Sequence, residues 1–213
     1  MAAAEQHISV PRTARYYTLG AEGSREMWLV LHGYGQLARY FLHHFEGLEE
    51  GRLIVAPEGL SRFYLDGSFG RVGASWMTRE DRETEIADQI TYLDALAARV
   101  SGKAALPVNV LGFSQGVATA CRWAAMGRTR IQRIVVWGGS MPPELGQDPT
   151  AHPWRECRFD LVHGKADTVV GADVLERNAA LLRSTSVPFT VHEHDGGHTL
   201  DRLLLGRLLG TDR

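Results

Sequence analysis

A chain of 213 residues, 44% hydrophobic and 23% charged, has the length and composition of an ordinary globular protein and fits one α/β domain spanning 1–213. A net charge of -2 with no basic block argues against nucleic acid or an anionic membrane as a partner, and no apolar run reaches the length of a membrane span. Met1-Ala2-Ala3-Ala4-Glu5-Gln6-His7 lacks a basic segment followed by an apolar run, so no signal peptide is expected. Cys121 and Cys157 are expected as reduced, partly buried thiols in a cytoplasmic chain.

Taken in order, Tyr16-Tyr17-Thr18-Leu19 is aromatic and β-branched enough for an edge strand, and Gly20 and Gly23 turn the chain. Met27-Trp28-Leu29-Val30-Leu31 is a continuous apolar run, hence a central strand, leaving through His32-Gly33-Tyr34-Gly35. Ala38 to Glu46 reads as a short helix, and Leu53-Ile54-Val55-Ala56 as a buried strand stopped by Pro57. Glu58 to Thr78 has no clear period, and a connection of that length in a compact domain is usually functional. Asp81 to Val100 is the strongest helix, with Ile86, Ile90, Leu93, Leu96, Ala97 and Val100 on one face.

Pro107 to Leu111 and Ile134 to Trp137 follow as strands, the second running into Gly138-Gly139. Residues 140–157 hold Pro142, Pro143, Pro149 and Pro153, which predicts an irregular loop. Phe159 to His163 is a strand, Ala172 to Leu182 a helix with Val174, Leu175, Ala179 and Leu182 inward, Phe189 to Glu193 a strand, and Thr199 to Leu209 the last helix. Buried strands alternating with amphipathic helices predict an α/β fold, a mostly parallel sheet covered on both faces. Its chemistry belongs at the carboxyl ends of the strands.

One stretch organises the rest. Gly112-Phe113-Ser114-Gln115-Gly116 follows an apolar strand and precedes the small and apolar run Val117 to Ala125. This is the sequence form of a nucleophile elbow. A strand reversing directly into a helix strains the backbone of its central residue and leaves no room for side chains two positions either side, which explains both glycines. The turn lifts Ser114 Oγ off the sheet and puts the Gln115 N–H at a helix N-terminus, facing any oxyanion that forms.

A serine needs a base and a group that orients the base. Of nine histidines, His198 in Asp195-Gly196-Gly197-His198 falls after the last strand, on the reactive edge. His163 precedes Gly164 and is expected to pack under a loop, His192 and His194 alternate along a strand, and His43 and His44 sit on a surface helix. A metal site built from His192, His194 and His198 is the rival, disfavoured because two glycines separate His198 from the other two; no metal or cofactor is expected. For the orienting acid, Asp160 is mid-strand, Asp173 is a further candidate, and Asp195 need not face the ring. Asp167, just beyond a strand end, preserves the order Ser, Asp, His and is preferred. His32-Gly33-Tyr34-Gly35 is either a tight turn alone or the source of a second oxyanion donor, for which Tyr34 N–H is best placed.

Leu31-His32-Gly33-Tyr34-Gly35, Ala56-Pro57-Glu58-Gly59, Ser75-Trp76, Gly112-Phe113-Ser114-Gln115-Gly116, His163-Gly164-Lys165-Ala166-Asp167 and Gly196-Gly197-His198 stand in order along nearly the whole chain. In this the sequence resembles the phospholipase/carboxylesterase family of α/β-hydrolases, which includes the acyl-protein thioesterases. The resemblance implies an α/β-hydrolase fold, and neither of the connections 58–78 and 140–157 is long enough for a separate cap domain. It also implies Ser114 as nucleophile, Asp167 as acid, His198 as base, and Tyr34 and Gln115 N–H as the oxyanion hole. Trp76-Met77-Thr78 stands where the family has Trp-Phe-Asp, and Tyr34, Gln36 and Val117 also depart from its pattern.

The expected activity is a serine esterase acting on small-molecule esters of roughly two to eight acyl carbons, each covered methylene contributing about 0.8 kcal/mol. Its cleft is expected from the connections 58–78 and 140–157, with Phe69, Trp76, Met77 and Met141 against the substrate. A thioesterase or lysophospholipase-like activity is the enzymatic alternative, and a non-catalytic ligand-binding module the alternative from another class. Neither monomer nor homodimer is favoured.

Overall fold

The computed structural model describes residues 3–20, 23–102, 105–146, 154 and 156–210. Its elements run β1 (Tyr16–Leu19), β2 (Glu26–Leu31), α1 (Ala38–Leu42), a 3-10 turn (His43–Phe45), β3 (Arg52–Pro57), β4 (Ser61–Tyr64), β5 (Val72–Ser75) and α2 (Arg82–Ser101). They continue as β6 (Val108–Phe113), α3 (Gln115–Met126), β7 (Ile131–Trp137), a 3-10 turn (Pro143–Gly146), β8 (Arg158–Gly164), α4 (Ala172–Ser184), β9 (Phe189–His194) and α5 (Arg202–Leu209).

Seven strands form one sheet in the order β1-β3-β2-β6-β7-β8-β9. All neighbours are parallel except β1, which runs antiparallel to β3 at the edge. The continuous apolar runs have a simple cause, because both sheet faces are covered. Alternate residues of β2 show it. Leu29 and Leu31 pack with Leu93 and Leu96 of α2, Val117 and Trp123 of α3, and Leu182 of α4. Trp28 and Val30 pack on the opposite face with Phe41 of α1 and Leu205 and Leu208 of α5. From β2 the chain goes first to β3 on one side and then to β6 on the other. That reversal opens a crevice at the carboxyl ends of β2 and β6, where Leu31 pairs with Gly112.

Three expectations need correction. The connection 58–78 holds an antiparallel hairpin, β4–β5, in which Tyr64 pairs with Val72 and Ser61 with Ser75. Its second strand is made of Val72, Gly73, Ala74 and Ser75 because it lies directly on the turn after β2. A Cβ on Gly73 would fall 2.5 Å from the Gly35 carbonyl oxygen, and Gly35 N–H donates to Ala74 O at 2.9 Å. Small residues chosen for close approach carry little strand signal. The last helix starts at Arg202 rather than Thr199, since Asp201 is its N-cap, accepting from the Leu204 N–H at 2.8 Å. The loop after β7 contains a 3-10 turn at Pro143–Gly146, while Pro149 and Pro153 lie outside the described residues. Cys121 and Cys157 are both free and buried. Among the described residues, no helix is long and apolar enough to cross a membrane.

Candidate active site

Ser114 sits between β6 and α3 with φ 53° and ψ -117°, a strained conformation for a residue with a Cβ. Its neighbours explain how the strain is held. A Cβ on Gly112 would lie 2.6 Å from the Gly116 carbonyl oxygen, and one on Gly116 would lie 2.3 Å from Leu31 O. Glycine at both positions is therefore a steric requirement of the crossing between β6, α3 and β2. The Ser114 N–H donates to Trp137 O at 2.9 Å, tying the turn to β7.

The exit from β7 passes beneath the serine. Gly138 adopts φ +55°, and a Cβ there would come within 3.4 Å of the His198 ring; a Cβ on Gly139 would fall 2.3 Å from Ser114 O. Asn178 of α4, buried, donates to Gly139 O at 2.8 Å and accepts from the Met141 N–H at 3.0 Å. Asn178 escaped sequence reading, although an amide beside Ala179 on the inward face of α4 was a usable signal.

His198 lies beyond β9 and Asp167 beyond β8. Their loops are interlocked. Lys165 N–H donates to His194 O at 2.8 Å and Ala166 N–H to Gly196 O at 3.1 Å. A Cβ on Gly164 would meet the Gly197 and Gly196 carbonyl oxygens at 2.4 and 2.5 Å. His198 Nδ1 lies 2.7 Å from Asp167 Oδ2, and His198 Nε2 lies 3.0 Å from Ser114 Oγ. Because the carboxylate can only accept, Nδ1 carries the proton and Nε2 is free to accept from the serine hydroxyl. Asp167 Oδ1 also accepts from the Val169 and Val170 N–H groups at 2.8 and 2.9 Å. Burial pushes the Asp167 carboxyl up, but the Val170 amide, His198 and the Val169 amide outweigh it and hold it below its ordinary value.

The other acidic and histidine candidates are engaged elsewhere. Asp195 is exposed and pairs with Lys165 Nζ at 2.8 Å, and Asp173 pairs with Arg177 on α4. His192 bonds Asp160 at 2.8 Å, while His194 is buried and accepts the Gly196 N–H at 3.2 Å. His192, His194 and His198 thus have three different sets of partners rather than a common centre.

The turn after β2 is built around two side chains. Gln36 Oε1 accepts from the Gly33 N–H at 2.7 Å. His32 is buried, its Nδ1 2.7 Å from Gly33 O and its Nε2 accepting from the Gly59 N–H at 3.0 Å. Burial holds this imidazole below its ordinary value, so it works as a neutral bridge between the exits of β2 and β3. Neither Tyr34 N–H nor Gln115 N–H donates to an acceptor among the described residues. The Gln115 side chain has a further role. It accepts from the Trp76 N–H at 3.0 Å and donates to Met77 O at 2.9 Å and Ser75 Oγ at 3.0 Å, clamping the segment after β5 onto the elbow.

Phe69, Trp76, Met77 and Met141 do not form one surface. Trp76 and Met141 are core residues at 1% and 3% exposure, with Trp76 Nε1 donating to His32 O at 2.8 Å. Phe69 is 95% exposed on the hairpin. Met77 is half-buried, its sulfur 3.3 Å from Arg122 Nη1. A cavity of about 600 Å³ lies between the turn after β2, α1 and the hairpin, walled by Gln36, Leu37, Phe41, Leu65 and Val72. Phe41 stacks on Phe113 at 6.0 Å, and Phe113 packs at 4.9 Å on His198, so one aromatic wall joins the cavity to the histidine.

A mostly parallel sheet covered on both faces, with the elbow, acid and histidine at its carboxyl edge and no separate cap evident, defines an α/β-hydrolase. The chain belongs to the family described as "Serine hydrolase (FSH1)", whose match covers residues 24–202 and therefore includes Ser114, Asp167 and His198. No curated protein matches it. In fold it is similar to a carboxylesterase from Mesorhizobium loti (TM-score 0.71, 18% identity, 92% of this chain and 94% of that one). It is likewise similar to Zea mays acyl-protein thioesterase 2 (TM-score 0.71, 21% identity, 92% of this chain and 96% of that one). Esterase PE8 is similar at a TM-score of 0.67 and 21% identity, over 93% of this chain and 97% of that one. The resemblance to the phospholipase/carboxylesterase group that the motifs carry is thus matched by the serine hydrolase family and by these neighbours.

Proposed function

We propose that the protein hydrolyses carboxylic esters through an acyl-enzyme formed on Ser114. The observation that carries this reading is the His198 ring, 3.0 Å from Ser114 Oγ on one side and 2.7 Å from Asp167 on the other. His198 Nε2 takes the hydroxyl proton as Ser114 Oγ attacks the ester carbonyl, and Asp167 stabilises the imidazolium. The oxyanion is received by the Tyr34 and Gln115 N–H groups, which have no acceptor among the described residues. The carbon–oxygen bond to the alcohol breaks, and His198 returns the proton to the departing alkoxide. Water, deprotonated by the same ring, then attacks the acyl carbonyl and releases acid and free Ser114.

The acyl chain lies in the cavity beside the turn, whose volume falls within the usual range for small-molecule sites. Short to medium acyl groups, roughly two to eight carbons, are the preferred substrates, since each covered methylene adds about 0.8 kcal/mol only until the chain leaves the cavity. Thioesters are the second reading, favoured by the fold shared with a plant acyl-protein thioesterase; the same groups serve a sulfur leaving group.

The test is a series of 4-nitrophenyl esters from acetyl to palmitoyl, with matched thioesters. The expected result is a maximum of kcat/KM at eight carbons or fewer, lost in Ser114→Ala. Faster turnover of palmitoyl than butyryl esters overturns the chain-length assignment, and activity surviving in Ser114→Ala overturns the nucleophile.

A further inference from the structure

We propose that the cavity beside the turn selects esters whose acyl chain ends in a carboxylate, and that Arg71 is the residue that recognises this anion. The proposal rests on the hydrolase reading above and assigns its substrate class: monoesters of aliphatic dicarboxylic acids.

Gln36 links the cavity to the turn that faces the serine. The point where a Cβ on Gly33 would stand is 3.2 Å from Ser114 Cβ and 3.1 Å from Gln36 Oε1, and Gln36 lines the cavity. An acyl chain bound at Ser114 is thus one side chain away from this space. The near walls are apolar, Leu37 and Phe41 from the α1 side and Leu65 and Val72 from the hairpin, and suit a run of methylenes.

The polar side chains of the lining are Gln36, whose Oε1 is taken by the Gly33 N–H, and Tyr40, His44 and Arg71. Burial first, then His43 and Arg202, hold the His44 imidazole below its ordinary value of 6.5, so it is neutral at pH 7. Arg71 is then the one full charge among the described lining residues, and no acidic side chain lines the space with it. Its one ion pair among the described residues uses Nε, 3.3 Å from Asp66 Oδ2, with the two side chains 82% and 60% exposed. Exposed pairs of this kind are weak and readily exchanged. The two Nη groups have no acceptor among the described residues, and a guanidinium fork matches a carboxylate in bidentate geometry. An arginine that served only to hold the hairpin turn would need neither the apolar approach nor the free fork.

The experiment compares kcat/KM for monoethyl adipate and ethyl hexanoate, esters of equal acyl length that differ in the terminal carboxylate. In the wild type the ratio should favour the adipate ester at low ionic strength and shrink with added salt, because Arg71 is exposed. Arg71→Gln should lower the ratio threefold or more, Arg71→Lys should lower it less, and Asp66→Asn should raise it by removing the competing carboxylate. A ratio that Arg71→Gln changes by less than threefold, or that Asp66→Asn fails to raise, overturns the proposal. Failure of the hydrolase reading looks different. Cleavage of ethyl hexanoate that depends on Ser114 upholds that reading whatever the ratio. If neither ester is cleaved, adipate binding measured by calorimetry, lost in Arg71→Gln, upholds the anion site alone, and absence of binding overturns it.

Discussion

β8 and β9 carry two aspartate–histidine pairs with nearly equal hydrogen bonds, Asp160–His192 at 2.8 Å and Asp167–His198 at 2.7 Å. Both carboxylates are buried, at 0% and 1% side-chain exposure. Both are also held below their ordinary values against the upward push of burial, but by different means. Arg133 does most of this for Asp160, its Nε at 2.7 Å, while Asp167 relies on the Val170 and Val169 amides together with His198. The first pair lies within the sheet, where Arg133 also packs over Trp28 at 5.6 Å and donates to Leu208 O at 2.5 Å. The second lies beyond the strand ends, on loops that cross at Gly164, Gly196 and Gly197. From His198 a hydrogen bond runs on to Ser114, whereas none runs on from His192 among the described residues. An aspartate–histidine bond is therefore no mark of catalysis by itself. In the proposed mechanism the difference lies in position at the carboxyl edge, a carboxylate stabilised by amides rather than by an arginine, and a serine hydroxyl on the far nitrogen.

The widest gap between the two pairs should appear in kinetics. Ser114→Ala removes the atom that His198 serves and should lower kcat by about a hundred-thousandfold or more while leaving the fold intact, checked by steady-state kinetics and circular dichroism. Asp167→Asn should cost on the order of ten-thousandfold, because an amide stabilises the wrong imidazole tautomer. Asp160→Asn should instead lower stability by about 3 kcal/mol, since it leaves Arg133 without its buried counter-charge, with kcat/KM per folded molecule changed less than about threefold. Urea denaturation with active-site titration measures both quantities, and a reversed ranking would break the distinction.

Acid sharpens the same contrast. Asp160 has its folded value depressed from 3.8, so its contribution to stability is complete above that value and is lost as pH falls through the lower folded one. Between pH 5 and 7 its contribution should be constant. The urea midpoint of wild type should fall more steeply below about pH 4 than that of Asp160→Asn; equal slopes would show that Arg133 and His192 do not hold this carboxylate charged. The smallest effect is expected at Asp195, whose side chain is 93% exposed. Asp195→Asn should leave the urea midpoint where it is in the wild type and change kcat/KM by less than about threefold.

Much of this contrast was legible in the sequence, because the reactive edge is written in glycines and strand ends. Gly112 and Gly116 mark the elbow, Asp167 and His198 fall just after apolar runs, and Asp160 is recognisable as mid-strand. What the sequence hid depends on tertiary approach. The hairpin strand Val72–Ser75 is built of small residues because it lies on the Gly35 backbone, so its pattern looks irregular. Trp76 and Met141 look like cleft residues by their place in long connections, yet both are drawn into the core by contacts no local pattern encodes. The side-chain clamp of Gln115 on Ser75, Trp76 and Met77 joins residues about forty positions apart and leaves no periodic trace.

The most direct measurement is the rate at which a fluorophosphonate probe modifies the protein, with the site read by peptide mass spectrometry. One equivalent should attach at Ser114, with the rate greatly reduced in Asp167→Asn and close to wild type in Asp160→Asn. Labelling at another residue, no labelling of the folded wild type, or equal rates in the two aspartate variants would contradict the assignment of Ser114, His198 and Asp167 as the catalytic unit.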